Sequence, residues 1–215
     1  MKKTIALMIL TLLLLLPLIS GCAGSKGGEA SAGTLLKTFP QDLKSSENEG
    51  TRTIVSHIDW PYYETAKDLI EVSTHIYKGK ITDISFEIID YKTGEKNDDP
   101  DNTASTHFIY IVYTVTVDEY IKGEGDSTVK ICKMGGIAGY LEEEQYALLK
   151  SSGILNDETL TIVLCNDDCT LKIGSDYLFC TIRWANGYDH IMNPIQFAHH
   201  TDSENAKMIK SGVKQ

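Results

Sequence analysis

From about residue 74 onward, apolar and polar residues alternate over long stretches, which is typical of strands with one buried face. The first stretch runs from Thr74 to about Tyr91, and the second runs from His107 to Ile121. In the second stretch the alternate positions are all apolar: Ile109, Ile111, Tyr113, Val115 and Val117. A third strand is predicted from Thr128 to Met134, so these three segments indicate a sheet.

The first predicted strand changes phase near its middle. Its alternating residues form two sets in opposite phase: His75, Tyr77, Gly79 and Ile81, and then Ile84, Phe86 and Ile88. The slip falls near Thr82-Asp83, and Gly79 precedes it. A glycine and a register slip within one strand predict a β-bulge and a sharp bend, and such bends close sheets into barrels.

Helices are predicted before and after these strands. Asp59 is the predicted cap of a short helix, with Pro61 in its first turn. The segment LEEEQYALLKSSG predicts a second helix, because Glu142–Glu144 suit a first turn and Lys150 suits a last turn. The tail SENAKMIKSG predicts one or two further helical turns.

Three more strands are predicted after the second helix, at Leu160–Leu164, Tyr177–Ala185 and Tyr188–Phe197. The dipeptide Asn186-Gly187 predicts a hairpin turn between the last two. This order predicts a mainly β fold, an OB-like five- to six-stranded barrel with a short N-terminal helix and a helix between strands three and four.

The N-terminus predicts a lipoprotein signal peptide at residues 1–21, followed by a flexible tether at 22–50 and a single OB-like domain at 51–215. An apolar run from Ile5 to Ile19 follows two lysines, and it is too short to span a membrane. The run ends in LISGC, which resembles the bacterial lipobox, in which the cysteine is diacylated and becomes the mature N-terminus. An ordinary cleaved signal with a chance cysteine at Cys22 is the alternative. The Gly-, Ser- and Ala-rich segment after Cys22 cannot bury enough apolar surface to fold.

The charge of the chain bears on its partners. The formal net charge of −10 becomes −12 once Lys2 and Lys3 are removed with the signal peptide. An acidic surface repels phosphate backbones, and no basic patch interleaved with aromatic residues offsets it, so a nucleic-acid partner is not expected. Anionic lipid headgroups are not expected to be bound either, which leaves the acyl chains as the membrane anchor.

Three segments of the chain resemble those of a known group of proteins. The frame DLIEVSTHIYKGKI, VYTVTVDEYIKG and IGSDYLFC resembles a group of bacterial lipoproteins of unassigned function with an OB-like barrel. It is also distantly similar to the OB barrels of netrin-like and metalloproteinase-inhibitor domains. Those inhibitors place a disulfide-anchored cysteine directly on the barrel, whereas Cys22 lies a tether away, so the resemblance does not extend to protease inhibition by that route.

Cysteines and motifs give little sign of chemistry. The chain contains no H-E-x-x-H, G-x-S-x-G, C-G-x-C or G-x4-G-K-[ST] pattern, and we assign no catalytic residue, metal or cofactor. Cys165-x3-Cys169 lacks the second pair of ligands of a structural zinc site, and in an exported chain it predicts a disulfide. Cys132 and Cys180 are expected to lie on neighbouring strands, either bonded or as buried thiols.

Two polar groups offer alternative chemistry. The acidic loop at residues 97–102 could attract calcium, but it lacks the EF-hand glycine and glutamate, so a solvated loop is favoured. His199-His200 with Asp202, and Asp189-His190, could supply metal ligands or an acid–base pair. Adjacent residues on a strand point to opposite faces, which favours exposed polar residues instead.

The predicted function is a membrane-anchored, extracytoplasmic, non-catalytic module that binds a protein, peptide or glycan. OB barrels commonly bind through the face of strands two and three. The residues of that predicted face are Phe108, Tyr110, Thr114, Thr116 and Tyr120, with Lys130 nearby. Two alternatives stay open. Helices or the C-terminal hairpin could cover the face, or the C-terminal histidines and acidic loops could form a metal-dependent or acid–base hydrolase.

The lipobox predicts that Cys22 is the mature N-terminus and carries the acyl chains. Intact mass of the membrane-extracted protein should show a diacylated cysteine, and Cys22→Ala should release or mislocalise the chain because buried acyl methylenes contribute about 0.8 kcal/mol each. A mature chain that starts elsewhere, or an unmodified Cys22, would contradict this prediction.

Overall fold

The computed structural model describes residues 51–97, 106–155, 159–165 and 171–214. The predicted signal peptide, Cys22, the tether, Cys169 and most of the acidic loop lie outside these ranges. The described strands are β1 (Arg52–Ser56), β2 (His75–Asp90), β3 (His107–Lys122), β4 (Thr128–Met134), β5 (Thr161–Cys165), β6 (Asp176–Arg183), β7 (Asp189–His190) and β8 (Ala198–His200). The described helices are α1 (Ala66–Val72), α2 (Glu142–Ser151) and α3 (Glu204–Val213).

The six-stranded sheet closes into a ring, which confirms the predicted mainly β, OB-like fold class. Its order is β2-β3-β4-β7-β6-β8, and an additional antiparallel pairing of β2 with β6 joins the two sides. The short strand β7 completes the ring, because it pairs with β4 on one side and with β6 on the other. Ring closure therefore depends on a strand of only two residues.

The long strand β2 bends as its sequence predicts. Its register with β3 shifts between Ile81 and Asp83, which leaves Thr82 without a partner in the ladder. The bulge brings both phases of the strand to the same side, since Tyr77 and Ile84 belong to one core cluster. The first half of β2 pairs with both β3 and β6, whereas the second half follows β3 alone.

The glycine of this bend is required by a close backbone approach. A Cβ at Gly79 would lie 2.5 Å from Val115 Cγ1 and 2.6 Å from the Thr116 carbonyl oxygen. Atoms cannot approach this closely without moving the strands apart, so only glycine lets β2 lie this close to β3.

The inside of the ring is filled by apolar side chains from every long strand. The alternate residues Ile109, Ile111, Tyr113 and Val115 of β3 all lie in this core, as their periodicity predicts. Residues from α2 close one part of it, including Leu149. Helix α2 has the expected ends, with three acidic residues in its first turn and Lys150 in its last.

Helices α1 and α3 cover the outer surface where β2 meets β6. Leu69 of α1 and Ile209 of α3 pack in one cluster with Ile76 and Leu178 of the sheet. The Lys122 Nζ donates a hydrogen bond of 2.6 Å to the Ile70 carbonyl near the end of α1, a position where a cation stabilises a helix terminus.

Some element boundaries differ from the sequence predictions. Helix α1 begins at Ala66, and its cap is Thr65, whose hydroxyl accepts a hydrogen bond from the Asp68 amide, so the prediction of Asp59 as the cap was wrong. The strand predicted at Leu160–Leu164 forms as β5, but it pairs in parallel with β1 in a separate two-stranded sheet. Among the described residues, no helix has the length and apolar character needed to cross a bilayer.

The close approach at Gly79 gives a stability prediction. We expect Gly79→Ala to lower the free energy of unfolding by about 1–3 kcal/mol, because the added methyl group overpacks the space between β2 and β3. Lys80→Ala is the matched control, since Lys80 is exposed and its ion pair with Asp176 is a surface one. Chemical denaturation followed by tryptophan fluorescence measures both, and equal losses would contradict the packing argument.

Candidate functional site

A fully buried carboxylate lies where the ring closes. The Asp189 side chain is 0% exposed and accepts hydrogen bonds from three side chains on two other strands of the ring. Tyr77 Oη on β2 donates at 2.8 Å, Thr181 Oγ1 on β6 donates at 2.7 Å, and the Arg183 Nε donates from the end of β6. A buried charge is tolerated only when it is paired and hydrogen-bonded, and these donors meet that condition.

The donors to Asp189 keep their protons. Burial raises the pKa of the Tyr77 hydroxyl well above its usual value, and the negative charge of Asp189 raises it further. Burial lowers the pKa of Arg183, but its hydrogen bond to Asp189 and the charge of that carboxylate more than offset this, so the net shift is upward. The oxygens of Asp189 are therefore occupied as acceptors from donors that stay protonated.

Arg183 connects this buried network to a pocket at the surface. Its side chain is 26% exposed, and its Nη2 atom is buried beside Gly125. We call the adjoining cavity the hairpin pocket. It has a volume of about 200 Å³ and is lined by Asp126, Thr128, Val129, Lys130, Arg183, Asn186, Gly187 and Tyr188.

Two chain segments form the walls of the hairpin pocket. The turn before β4 and the start of β4 supply Asp126, Thr128, Val129 and Lys130, and the β6–β7 hairpin supplies the others. The hairpin is fixed by its own contacts, since the Tyr188 amide donates to Asn186 Oδ1 at 2.9 Å and Asn186 Nδ2 donates to the Gly94 carbonyl. Gly187 has a φ of +87°, so the predicted turn depends on a residue that tolerates the left-handed region.

Lys130 is held at the edge of the pocket. Its Nζ lies 3.3 Å from Glu87 Oε1, donates to the Tyr188 hydroxyl at 3.1 Å, and lies 5.1 Å from the centre of the Tyr188 ring. The hydrogen bond to Tyr188 raises the pKa of Lys130, and the charge of Glu87 adds to that shift. The two cations of the pocket thus each have a carboxylate partner, Glu87 for Lys130 and Asp189 for Arg183.

The predicted binding face is not an exposed row of tyrosines. Tyr110 is 0% exposed because the β6–β7 hairpin packs over it, with Trp184 at a ring-centre distance of 6.1 Å and His190 at 6.3 Å. Phe108 is half-buried and packs edge-on against Tyr91. The expectation that Tyr110 is exposed was therefore wrong. The C-terminal hairpin covers this part of the face, as the alternative interpretation predicts.

The rest of the predicted face is scattered. Thr114 is half-buried and Thr116 is exposed. Tyr120 turns toward the ring interior, where its ring centre lies 5.4 Å from that of Tyr77, and its hydroxyl donates to the Asp126 carbonyl at 3.0 Å. Of the six predicted residues, only Lys130 lines the hairpin pocket.

The C-terminal histidines do not converge. His190 stacks on Trp184 at a ring-centre distance of 4.1 Å, whereas His200 packs against Tyr177 at 5.0 Å. Burial lowers the pKa of both His190 and His199 to about 4, so each is a neutral imidazole near pH 7. In the described ranges, no group of three or more His, Cys, Asp or Glu side chains is arranged to hold a metal ion.

The strand order of the closed ring determines which cysteines are neighbours. Strand β7 separates β4 from β6, so Cys132 and Cys180 do not lie on neighbouring strands, and that prediction was wrong. Both are buried thiols, and burial raises the pKa of each, to about 12 for Cys180. Cys165 is buried at the end of β5, and its predicted bond to Cys169 involves a residue outside the described ranges.

Sequence reasoning missed most of the pocket. Arg183 and Asp189 were not singled out as a pair, although they stand on opposite sides of the predicted Asn186-Gly187 turn. A two-residue turn at Asn186-Gly187 would place Arg183 opposite His190, so the sequence carried no signal for the observed pairing with Asp189. Tyr77 and Thr181 gave no signal, since they look like ordinary strand residues.

The buried network predicts unequal effects of two substitutions. Asp189→Ala should lower the free energy of unfolding by about 3–5 kcal/mol, because it leaves the Arg183 charge and two hydroxyl donors without their acceptor. Thr181→Val removes one donor at similar volume and should cost about 1 kcal/mol. Chemical denaturation measures the two, and equal costs would contradict a central role for the carboxylate.

Comparison with known proteins adds no assignment to this geometry. Neither a protein-family model nor a curated protein sequence matches the chain.

Proposed function

We propose that the protein is a membrane-anchored, extracytoplasmic lipoprotein that acts as a non-catalytic binding module through the hairpin pocket. The observation that carries this proposal is that the polar groups of the pocket are already held by contacts within the fold. Its cations are held by Glu87 and Asp189, and its hairpin is held by Asn186. Polar groups that are already oriented bind a ligand with little loss of conformational entropy.

The location of the pocket also supports binding. It lies at the end of the ring, between the turn that precedes β4 and the β6–β7 hairpin. Loops carried by a rigid scaffold are the usual position of binding residues, since they vary without disturbing the core. The segment between Cys22 and the domain spans residues 23–50, and its composition suits a tether that lets the pocket reach ligands away from the membrane.

The hydrolase alternative finds less support. It needs histidines close to carboxylates, but Asp189 points to Tyr77, Thr181 and Arg183, while the adjacent His190 stacks on Trp184. With their pKa values near 4, His190 and His199 are weak bases at neutral pH. The arrangement favours binding over proton transfer.

A paired-variant experiment tests the proposal. The detergent-solubilised full chain is incubated with sedimentable cell-envelope fragments from cells that lack it, and the bound fraction is measured. We expect the double variant Asp126→Ala/Lys130→Ala to lose binding about tenfold, because both residues line the pocket. The double variant Lys80→Ala/Asp176→Ala removes the same two charges from an exposed ion pair outside the pocket and should bind as the parent does.

Two results would overturn the proposal. One is equal binding by the parent and the pocket variant, which would mean that another surface carries the interaction. The other is release of a product from the fragments that His200→Ala abolishes, which would favour the hydrolase.

A further inference from the structure

The lining of the hairpin pocket limits the chemistry of its ligand. Val129 is the only aliphatic residue among those that line it, and it is buried. The others offer hydroxyl, amide, carboxylate and cationic groups, together with one aromatic ring. An apolar peptide side chain would gain little from such a pocket, whereas a ligand with several hydroxyl groups would find partners around its whole edge.

The charges of the pocket are largely compensated. Lys130 is paired with Glu87, and Arg183 is paired with Asp189, so neither cation faces the pocket with an unbalanced charge. Asp126 adds an exposed carboxylate. The surroundings are therefore neutral to slightly negative, within a chain of formal net charge −10, and they give no electrostatic advantage to an anionic ligand.

Donors and acceptors nevertheless remain for an uncharged ligand. The Asp126 carboxylate can accept from two neighbouring hydroxyl groups, and Thr128 can both donate and accept. The Nε of Arg183 binds Asp189 and its Nη2 is buried, which leaves Nη1 as the guanidinium nitrogen that can donate to a ligand. These are the complementary partners of vicinal hydroxyl groups, which each carry one donor and two lone pairs.

Size and shape narrow the ligand further. A volume of about 200 Å³ is smaller than the roughly 300–1,000 Å³ of pockets for drug-sized molecules, and it suits one ring-sized unit. The Tyr188 ring supplies an aromatic surface on which the C–H face of such a unit can pack.

We propose that the hairpin pocket binds an uncharged sugar residue of a glycan, with Asp126, Thr128 and Arg183 holding its hydroxyl groups and Tyr188 contacting its ring. This assignment rests on the proposed binding function of the same pocket. It goes further by naming the ligand as a neutral saccharide, in preference to a peptide or an acidic sugar.

Saturation-transfer NMR and titration on the detergent-solubilised full chain test this assignment. The probes are the methyl glycosides of glucose, galactose, mannose and N-acetylglucosamine, with glucuronate as the acidic probe and an acetylated dipeptide as the peptide probe. We expect at least one neutral glycoside to bind more tightly than glucuronate. Asp126→Ala should weaken that binding about tenfold, the equivalent of one hydrogen bond to a charged group.

Two further variants separate loss of contact from loss of fold. Thr128→Val removes an exposed hydroxyl and should weaken the sugar severalfold without changing the thermal unfolding midpoint. Asp176→Ala is the matched control for Asp126→Ala, because Asp176 is an exposed aspartate that does not line the pocket, and it should leave sugar binding unchanged.

Each other outcome overturns the assignment. Preferential binding of glucuronate or of the dipeptide would show a different ligand class, and sugar binding that survives Asp126→Ala and Thr128→Val would show a different surface. If none of the glycosides binds while the pocket variants still lose envelope binding, the neutral-sugar assignment fails and the binding function stands. If the pocket variants keep envelope binding, the binding function of this pocket fails as well.

Discussion

The buried carboxylate of Asp189 joins the strands that close the sheet. It accepts from Tyr77 on β2 and from Thr181 and Arg183 on β6, while its own strand β7 links β4 to β6. Strand β7 contributes only two residues to its ladders with β4 and β6. The side-chain hydrogen bonds to Asp189 add further links from β7 to β2 and β6, and the same charge orients the arginine that reaches the surface pocket.

Closure of the ring also determines which surfaces are available for binding. The β6–β7 hairpin packs Trp184 against Tyr110, and the ring of Trp184 fills the space beside Gly94, where a Cβ would lie 2.6 Å from it. Helices α1 and α3 cover the outer face of β2 and β6. Two outer faces of the ring are thus occupied by packing, and the hairpin pocket lies beside the turn that precedes β4 and the β6–β7 hairpin.

Structure and proposed function are linked through rigidity. Each charged side chain of the hairpin pocket other than Asp126 is hydrogen-bonded to a partner on another strand or at the hairpin. Such groups do not have to be ordered when a ligand arrives, so even a small polar ligand can be bound with useful specificity. Burial lowers the pKa values of the buried histidines and raises those of the buried thiols, so both kinds of group stay neutral. They therefore act as packing groups more than as reactive ones.

The sequence by itself determined the elements whose signals are local. The alternation in β3, the phase slip with Gly79 in β2, the acidic start of α2 and the Asn186-Gly187 turn each reflect periodicity or backbone freedom within a few residues. The tertiary structure alone decided the pairing of β5 with β1, the insertion of β7 between β4 and β6, and the burial of Tyr110. It also determined which residue Arg183 faces at the pocket. A two-residue turn would place Arg183 opposite His190, whereas the observed three-residue loop places it opposite Asp189. A shift of one residue moves every side chain to the other face, and only contacts between distant segments select the register.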